Sequence, residues 1–407
     1  MKILFITQVF YPDTVATGQV LSDVADFLTS NGHEVDAITS RYSYEDKEVV
    51  YLKNEIKNGV NIKRINHSKM GKANSFYRLV DFFTFNFTIF IKLLFIKRKG
   101  YDAIIGTTVP PFLALIGVWI SKLKNIPFYY YVMDLQPELS IASGMLKPNS
   151  MASKLFTMIG NYSIRHSKKL ISLDKYMTEY LIKRGANSKE TYTIPIWPLF
   201  ESRHIGNRLD NPFRVQNDFG NRIVVMYSGN HAYVHPLDTL LEAALKLKDN
   251  KDFLFVFVGG GVRKKDVSEF KMKHGLVNIL QIPFQSREYF HISLDASDIQ
   301  VVILGDELVG YTHPNKIYGA LFAAKPILYI GPEESHVADI LKELDGNMLL
   351  QHKQTDKLIA YLVAFSNLDK SVWEEIGNRN ADFAQIQFSP IYLKNKLLNS
   401  LENRNKL

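Results

Sequence analysis

Val301 to Asp339 reads VVILGDELVGYTHPNKIYGALFAAKPILYIGPEESHVAD, an order of residue types that predicts a strand, a glycine turn, a helix, a second strand and a second glycine turn. The apolar run Val301 to Leu304 stops at Gly305-Asp306, and the chain must reverse before Pro314, a residue favoured in a first helical turn. His313 and Lys316 are thereby expected at a helix start, where unpaired N–H groups and about half a positive charge attract anions. A Lys there opposes the dipole at a cost of roughly 0.3–1 kcal/mol unless an anion lies between them. Lys316 therefore reads either as a solvated surface residue or as part of an anion site.

The same alternation runs outward to both ends. Lys2 to Gln8 is expected as a strand. A helix from about Gln19 to Thr29 sets Val20, Leu21, Val24, Ala25 and Leu28 on one face, and Asn31-Gly32 ends it before a strand from Glu34 to Ser40. Such a βαβ opening predicts a parallel sheet with helices on both faces. Further strands are expected at Ile62 to Ile65, Ala103 to Gly106, Phe128 to Met133, Leu170 to Leu173 and Tyr192 to Ile194. Trp197 to Asn221 holds Pro198 and Pro212 without apolar periodicity and reads as a connection. Beyond it the pattern restarts with a strand Ile223 to Ser228, a helix Leu237 to Lys248 and a strand Phe253 to Gly259. The expected class is α/β, with two doubly wound Rossmann-like domains, 1–198 and 199–387, whose strand ends face a central cleft.

The chain has 407 residues, enough for two domains of about 200. Its 46% hydrophobic and 22% charged content is that of a globular protein. With no cysteine, disulfides, thiolate metal sites and thiol redox chemistry are excluded, which fits a reducing cytoplasm. Met1-Lys2 runs into an apolar stretch too short for a signal peptide, so secretion is not expected. Ala103 to Ser121 carries no charge, yet Pro110-Pro111 divides it into a strand and a helix of core length.

Candidate site residues cluster at expected strand ends. Thr17-Gly18 precedes the first helix and offers close backbone approach to a phosphate or sugar, or a simple turn. Gly229-Asn230 and Gly259-Gly260-Gly261 end neighbouring strands, and with His313 and Lys316 they predict loops converging on one nucleotide-sized site. Arg263, in an Arg-Lys-Lys run, suits a bidentate phosphate contact or a solvated face. His231 and His235 are either donor contacts or loop packing. Asp134 and Glu138 follow the apolar strand; Pro137 argues for a loop there, and a carboxylate at that strand end can orient an acceptor hydroxyl and take its proton, or cap a helix. No cluster has metal-ligand spacing, so no essential metal is expected.

Lys69 to Lys99 interleaves Phe76, Tyr77, Phe82, Phe83, Phe85, Phe87, Phe90 and Phe95 with Lys69, Lys72, Arg78, Lys92, Lys97, Arg98 and Lys99. This is the composition of an interfacial membrane anchor, or of two buried helices; the net charge of +8 agrees with an anionic surface. No nucleic-acid motif accompanies it.

His313-Pro314-Asn315-Lys316-Ile317-Tyr318 and Gly331-Pro332-Glu333-Glu334-Ser335-His336 resemble the family-4 retaining glycosyltransferases of the GT-B fold, in the branch that builds bacterial polysaccharide repeat units. Tyr227 to His231 with His235 to Leu241 is similar to the opening of that family's donor domain, Thr17-Gly18-Gln19 and Gly32 to Val35 to that of the acceptor domain, and Asp134 to Glu138 to its D-x-x-P-E segment. The resemblance implies transfer of a sugar from a nucleotide diphosphate, UDP first, to a lipid-linked or polysaccharide acceptor at the inner face of the cell membrane. It implies no cofactor, since the nucleotide-sugar is a co-substrate. It also implies base reading by Gln281 to Phe284, including Pro283, and a tail helix, 388–407, packed on the first domain. Tyr311 and Gly319 stand where the wider family carries glutamates, so the carboxylate grip on the donor is not carried over and what replaces it stays open; Tyr311 is one of the donor-contact candidates. A nucleotide-sugar epimerase of the same fold and a non-catalytic nucleotide- or carbohydrate-binding protein are the alternatives. The sugar, acceptor, linkage and oligomeric state are not legible.

Overall fold

The structure, a computed structural model, describes every residue except 14, 45, 47, 72–74, 199–207 and 403–407, and the side chains of 75, 76, 78 and 287. Lys72, the side chains of Phe76 and Arg78, and the expected boundary at 198/199 thus lie outside or at the edge of the described residues. The chain divides into two compact units, Met1–Leu199 with Gly310–His313 and Leu393–Leu407, and Phe200–Val309 with Pro314–Tyr392.

The first unit holds β1 (Lys2–Ile6), α1 (Ala16–Ser30), β2 (Glu34–Ser40), β3 (Asn54–Lys57), β4 (Val60–Ile65), α2 (Ser75–Leu94) and β5 (Ala103–Thr107). After these come α3 (Leu113–Lys124), β6 (Phe128–Tyr131), α4 (Glu138–Ala142), α5 (Met151–His166), β7 (Lys169–Ser172), α6 (Lys175–Lys183) and β8 (Thr191–Thr193). Its eight strands run β3-β4-β2-β1-β5-β6-β7-β8, parallel except for β3 against β4. One face packs Leu4, Ile6, Ile38, Ile104 and Phe128 against Phe85, Ile89 and Leu93, which recur every four residues along α2 and so share one side of it.

The second unit contains α7 (Pro212–Gln216), β9 (Ile223–Ser228), α8 (Asp238–Lys246), β10 (Phe253–Val258), α9 (Lys264–His274), β11 (Ile279–Ile282), α10 (Arg287–Asp295), β12 (Ile299–Ile303) and α11 (Lys316–Phe322). It continues with β13 (Ile327–Ile330), α12 (His336–Lys342), β14 (Met348–Leu350), α13 (Thr355–Ser366) and α14 (Lys370–Gln387). α15 (Pro390–Glu402) follows, and from Leu393 it is counted with the first unit. The six strands are parallel in the order β11-β10-β9-β12-β13-β14, so the first strand lies inside the sheet and the winding reverses beside it. All six residues of β9 and of β10 are buried, the continuous apolar run required of a strand covered on both faces. Val225, Tyr227, Phe255 and Phe257 serve one core and Val224, Met226, Leu254 and Val256 the other.

Three local expectations are corrected. α1 starts at Ala16, not Gln19, because Val15 is the N-cap and offers no capping side chain to mark it. Thr17 and Gly18 therefore belong to the helix. Glu138 opens α4 with Pro137 as its N-cap, a position that needs no amide donor, so Pro137 admits the helix it was expected to prevent. α11 opens at Lys316, with Pro314 in the preceding turn, where its carbonyl accepts from the Ile317 amide at 3.2 Å. Among the described residues no helix is long and apolar enough to cross a membrane.

Candidate active site

At the carboxyl edge of the second sheet, β9 runs into Gly229 and β10 into Gly259, both with positive φ, 131° and 132°. A side chain at Gly259 would collide with the Gly229 carbonyl, and one at Gly229 with Lys316 Cε, so only glycine lets these backbones and the Lys316 stem pack together. The two turns are laced: the His231 amide donates to the Gly260 carbonyl at 2.7 Å and the Arg263 amide to the His231 carbonyl at 2.9 Å. Tyr227, fully buried, donates its hydroxyl to the Asn230 carbonyl at 2.9 Å and presents its ring 5.0 Å from Lys316 Nζ.

Lys316 is half-buried, and among the described residues no carboxylate pairs with it. Burial alone pushes its ammonium down to about 7. His231 is buried and donates from Nδ1 to the Gly260 carbonyl at 3.1 Å, which leaves Nε2 buried with no partner. His235 donates in the same way to the Ile303 carbonyl at 2.9 Å. Burial, reinforced by the nearby Lys316 charge, lowers both imidazole pKa values, so both rings are neutral acceptors at Nε2. The edge therefore offers a half-buried cation that no carboxylate among the described residues neutralises, two glycine turns and two neutral histidines, which is the chemistry of an anion cradle. Among the described residues no group of His, Cys, Asp or Glu is arranged to hold a metal ion.

Arg263, expected on the phosphates, is instead committed to Asp266 at 2.8 Å and Asp238 at 3.4 Å, which consumes its charge. Pro283 and Phe284 are exposed beyond β11, and the ring of Phe284 lies where a side chain at Gly260 would touch it, at 3.1 Å.

Tyr311 and His313, expected beside these turns, belong to the first unit. His313 donates from Nδ1 to Asp174 at 2.6 Å, both buried, and Asp174 also caps α6. Tyr311 meets Tyr180 edge to face at 4.9 Å. The same segment pairs with the end of β6: the Leu135 amide donates to the Tyr311 carbonyl at 2.8 Å, and Thr312 donates its hydroxyl to Asp134 at 2.6 Å. Burial raises the Asp134 pKa, partly offset by the Thr312 hydrogen bond and by the His313 charge. Glu138 has another task. Its carboxylate accepts from Arg184 at 3.0 Å and Tyr180 at 2.8 Å, a buried ion pair that ties α4 to α6.

Gly18 lies against the Phe10 amide, 3.3 Å from where a side chain would begin, and Thr17 is half-buried beside it. Two residues escaped the sequence reading. Gln8, past the end of β1, is buried with both amide atoms unpartnered, and Tyr131, ending β6, is buried with an unpartnered hydroxyl. With Thr108, whose hydroxyl accepts from the Asp134 amide at 3.3 Å, they line the carboxyl ends of β1, β5 and β6. A polar Gln closing the apolar run of β1 was the available signal.

No protein-family model matches the chain. The putative colanic acid biosynthesis glycosyl transferase WcaI of Escherichia coli K12 is 22% identical over 330 residues, covering 79% of this chain and 81% of that one. The probable glycosyltransferase WbjE of Pseudomonas aeruginosa is 23% identical over 261 residues, 63% of this chain and 64% of its own. Among solved structures, Anabaena HepE in complex with UDP-glucose superposes with a TM-score of 0.73 at 14% identity, over 99% of this chain and 100% of that one. The chain has the GT-B fold of glycosyltransferases and is a distant sequence relative of bacterial glycosyl transferases of polysaccharide biosynthesis.

Proposed function

We propose that this protein is a glycosyltransferase of bacterial surface-glycan synthesis that moves a sugar from a nucleotide diphosphate, UDP first, to a lipid-linked acceptor. The observation that carries the reading is Lys316, an ammonium held without a carboxylate partner against the glycine turn of β9. A charge kept in that state is unfavourable until an anion arrives. In this role Lys316, lying against the glycine turn of β9, neutralises the diphosphate as the bond from sugar C1 to its oxygen breaks. A bond from C1 to the acceptor oxygen forms, and Asp134, its affinity for a proton raised by burial, orients the acceptor hydroxyl and takes the proton. Retention of configuration follows from the family resemblance, and no cofactor is required. The donor complexes of HepE with UDP-glucose agree with this choice of nucleotide.

The protein works in the cytoplasm at the inner membrane face, held there by the segment 69–99. α2 supports this reading because it carries a second apolar stripe on the side away from the core, with Phe83 73% and Phe87 60% exposed. Calorimetry with UDP tests the donor site: binding by the wild type, lost in Lys316→Met, is expected, and equal binding by both removes Lys316 from it. Interconversion of the donor sugar with no acceptor present would replace the transferase by an epimerase.

A further inference from the structure

α2 is only one edge of a larger surface. On α2 and just past it, Phe83, Phe87, Ile91 and Phe95 recur every four residues and are all exposed, Phe95 to 83%. α3 lies beside α2, with Trp119 edge to face with Phe90 at 6.4 Å, and exposes Trp119 and Leu123. α5 lies beside α3, where Lys122 donates to the Tyr162 hydroxyl at 2.9 Å, and exposes Met151, Leu155 and Met158, Met151 to 89%. All three helices belong to the first unit.

Charge on these helices has one sign. α2, α3 and α5 contain a single carboxylate, Asp81, and it is buried, accepting from Ser68 and from the Met70 and Gly71 amides. Lys92, Lys122, Lys154 and Arg165 are exposed on the helices, and Lys97, Arg98 and Lys99 follow α2 directly. Along α5 runs an open groove of about 610 Å3, lined by Ser153, Lys154, Thr157, Asn161 and Arg165 among others. Phosphate fits that lining through its exposed cations Lys154 and Arg165, whereas Ser153 and Thr157 already donate their hydroxyls to the Ser150 and Ser153 carbonyls.

We propose that α2, α3 and α5 form one docking face for an anionic bilayer, with apolar side chains entering the acyl boundary and the α5 groove receiving lipid phosphates. This rests on the membrane attachment proposed above and extends it from one helix to three. A second copy of the chain fits less well, because a twofold contact would bring like cations together over a face with no exposed acid to pair them. An anionic lipid surface supplies the missing charge everywhere at once. Trp119 is placed at the depth where an indole is favoured, and the lysines reach out from the apolar rim.

The test is co-sedimentation of the full chain with phosphatidylcholine vesicles, with and without phosphatidylglycerol. Two triple variants are compared, Phe83→Ser/Phe87→Ser/Ile91→Ser on α2 and Met151→Ser/Leu155→Ser/Met158→Ser on α5. All six positions are exposed, and unchanged thermal melts confirm folding. Each triple variant is expected to bind the anionic vesicles about tenfold more weakly or worse. Loss in the α2 variant alone overturns the three-helix face and leaves single-helix attachment standing, whereas a wild type that binds no vesicle overturns both. Self-association abolished by the α5 substitutions, without vesicle binding, assigns the face to a second copy. As an independent reading, Trp119 is the one exposed tryptophan, Trp197 and Trp373 being buried. Brominated lipid should quench wild-type fluorescence and fail to quench Trp119→Phe; equal quenching of both places α3 outside the bilayer and overturns the proposal.

Discussion

The carboxyl edges of the two sheets are built from different materials. In the second unit the edge is made by backbone, with glycine turns at Gly229 and Gly259 and the Lys316 side chain laid across the first. In the first unit it is made by side chains: Gln8, Thr108, Tyr131 and Asp134 crowd the ends of β1, β5 and β6. Backbone amides and a cation suit a diphosphate, whose charge is large and whose shape is constant. Side-chain hydroxyls, amides and carboxylates suit hydroxyl groups, which must be told apart by direction. The contrast also separates like residues. Glu138 is consumed by Arg184 and Asp134 is not; Arg263 is consumed by Asp266 and Asp238, and Lys316 is not.

The largest effects should come from the two carboxylates. Glu138→Gln leaves Arg184 buried without its counter-charge and should lower unfolding free energy by about 3 kcal/mol or more. Asp134→Asn removes a half-buried acid held by one side-chain donor, so stability should hold while turnover falls by about 10²–10⁴. Denaturant unfolding and steady-state assays of both variants check the pair, and the reverse pattern would exchange their roles.

Next in size is the donor site. Lys316→Ala should weaken UDP by about 1.5–3 kcal/mol, roughly ten- to hundredfold, on the scale of hydrogen bonds to charged groups. Arg263→Ala, already neutralised, should change UDP affinity by far less. Calorimetry on both variants decides it, and equal losses would merge the two cations.

The third effect is on pH. Burial holds Lys316 at about 7, and a bound diphosphate returns its ordinary basicity, so UDP binding takes up a proton above that pH. Affinity should fall by up to about tenfold per unit as pH rises from about 7 to 9, a slope absent in Lys316→Met. The sign for folding is opposite. The unfolded Lys binds its proton up to about 10.4, so from about 7 upward the unfolded state holds more protons, and this residue's contribution to stability rises with pH. Proton uptake is read from calorimetry in buffers of different ionisation enthalpy. The smallest effect expected is that of a chelator: transfer should survive EDTA, because the diphosphate charge is met by Lys316. Loss restored by magnesium would overturn this.

Strands were legible where burial on both faces forces an unbroken apolar run, and β2 and β9 lie at their expected bounds. β3 was missed although Asn58-Gly59 spells a two-residue hairpin turn, since the flanking residues are polar and largely exposed. Lys316 stood out in the sequence because its conflict with a helix start is local. The Asp174 partner of His313 was not legible, because it is 139 residues away and no spacing encodes it. Arg263 offered a visible hint, Asp266 three residues on. In α2 the sequence showed aromatic and cationic character without showing that Phe85, Ile89 and Leu93 turn inward while Phe83, Phe87 and Ile91 turn out.

Lys169 opens β7 inside the first sheet, only 1% exposed, and donates to the Ser400 and Leu401 carbonyls near the end of α15. Lys394 pairs with Asp23 at 2.8 Å, and His33 contacts Glu402 at 3.2 Å. On the ribosome, therefore, an inner strand of the first unit waits for acceptors that are translated only after the whole of the second unit. The second unit, made later, can finish first. Synthesis order and folding order are inverted, and a nascent chain stalled before α15 is expected to hold a finished second unit beside an unfinished first one.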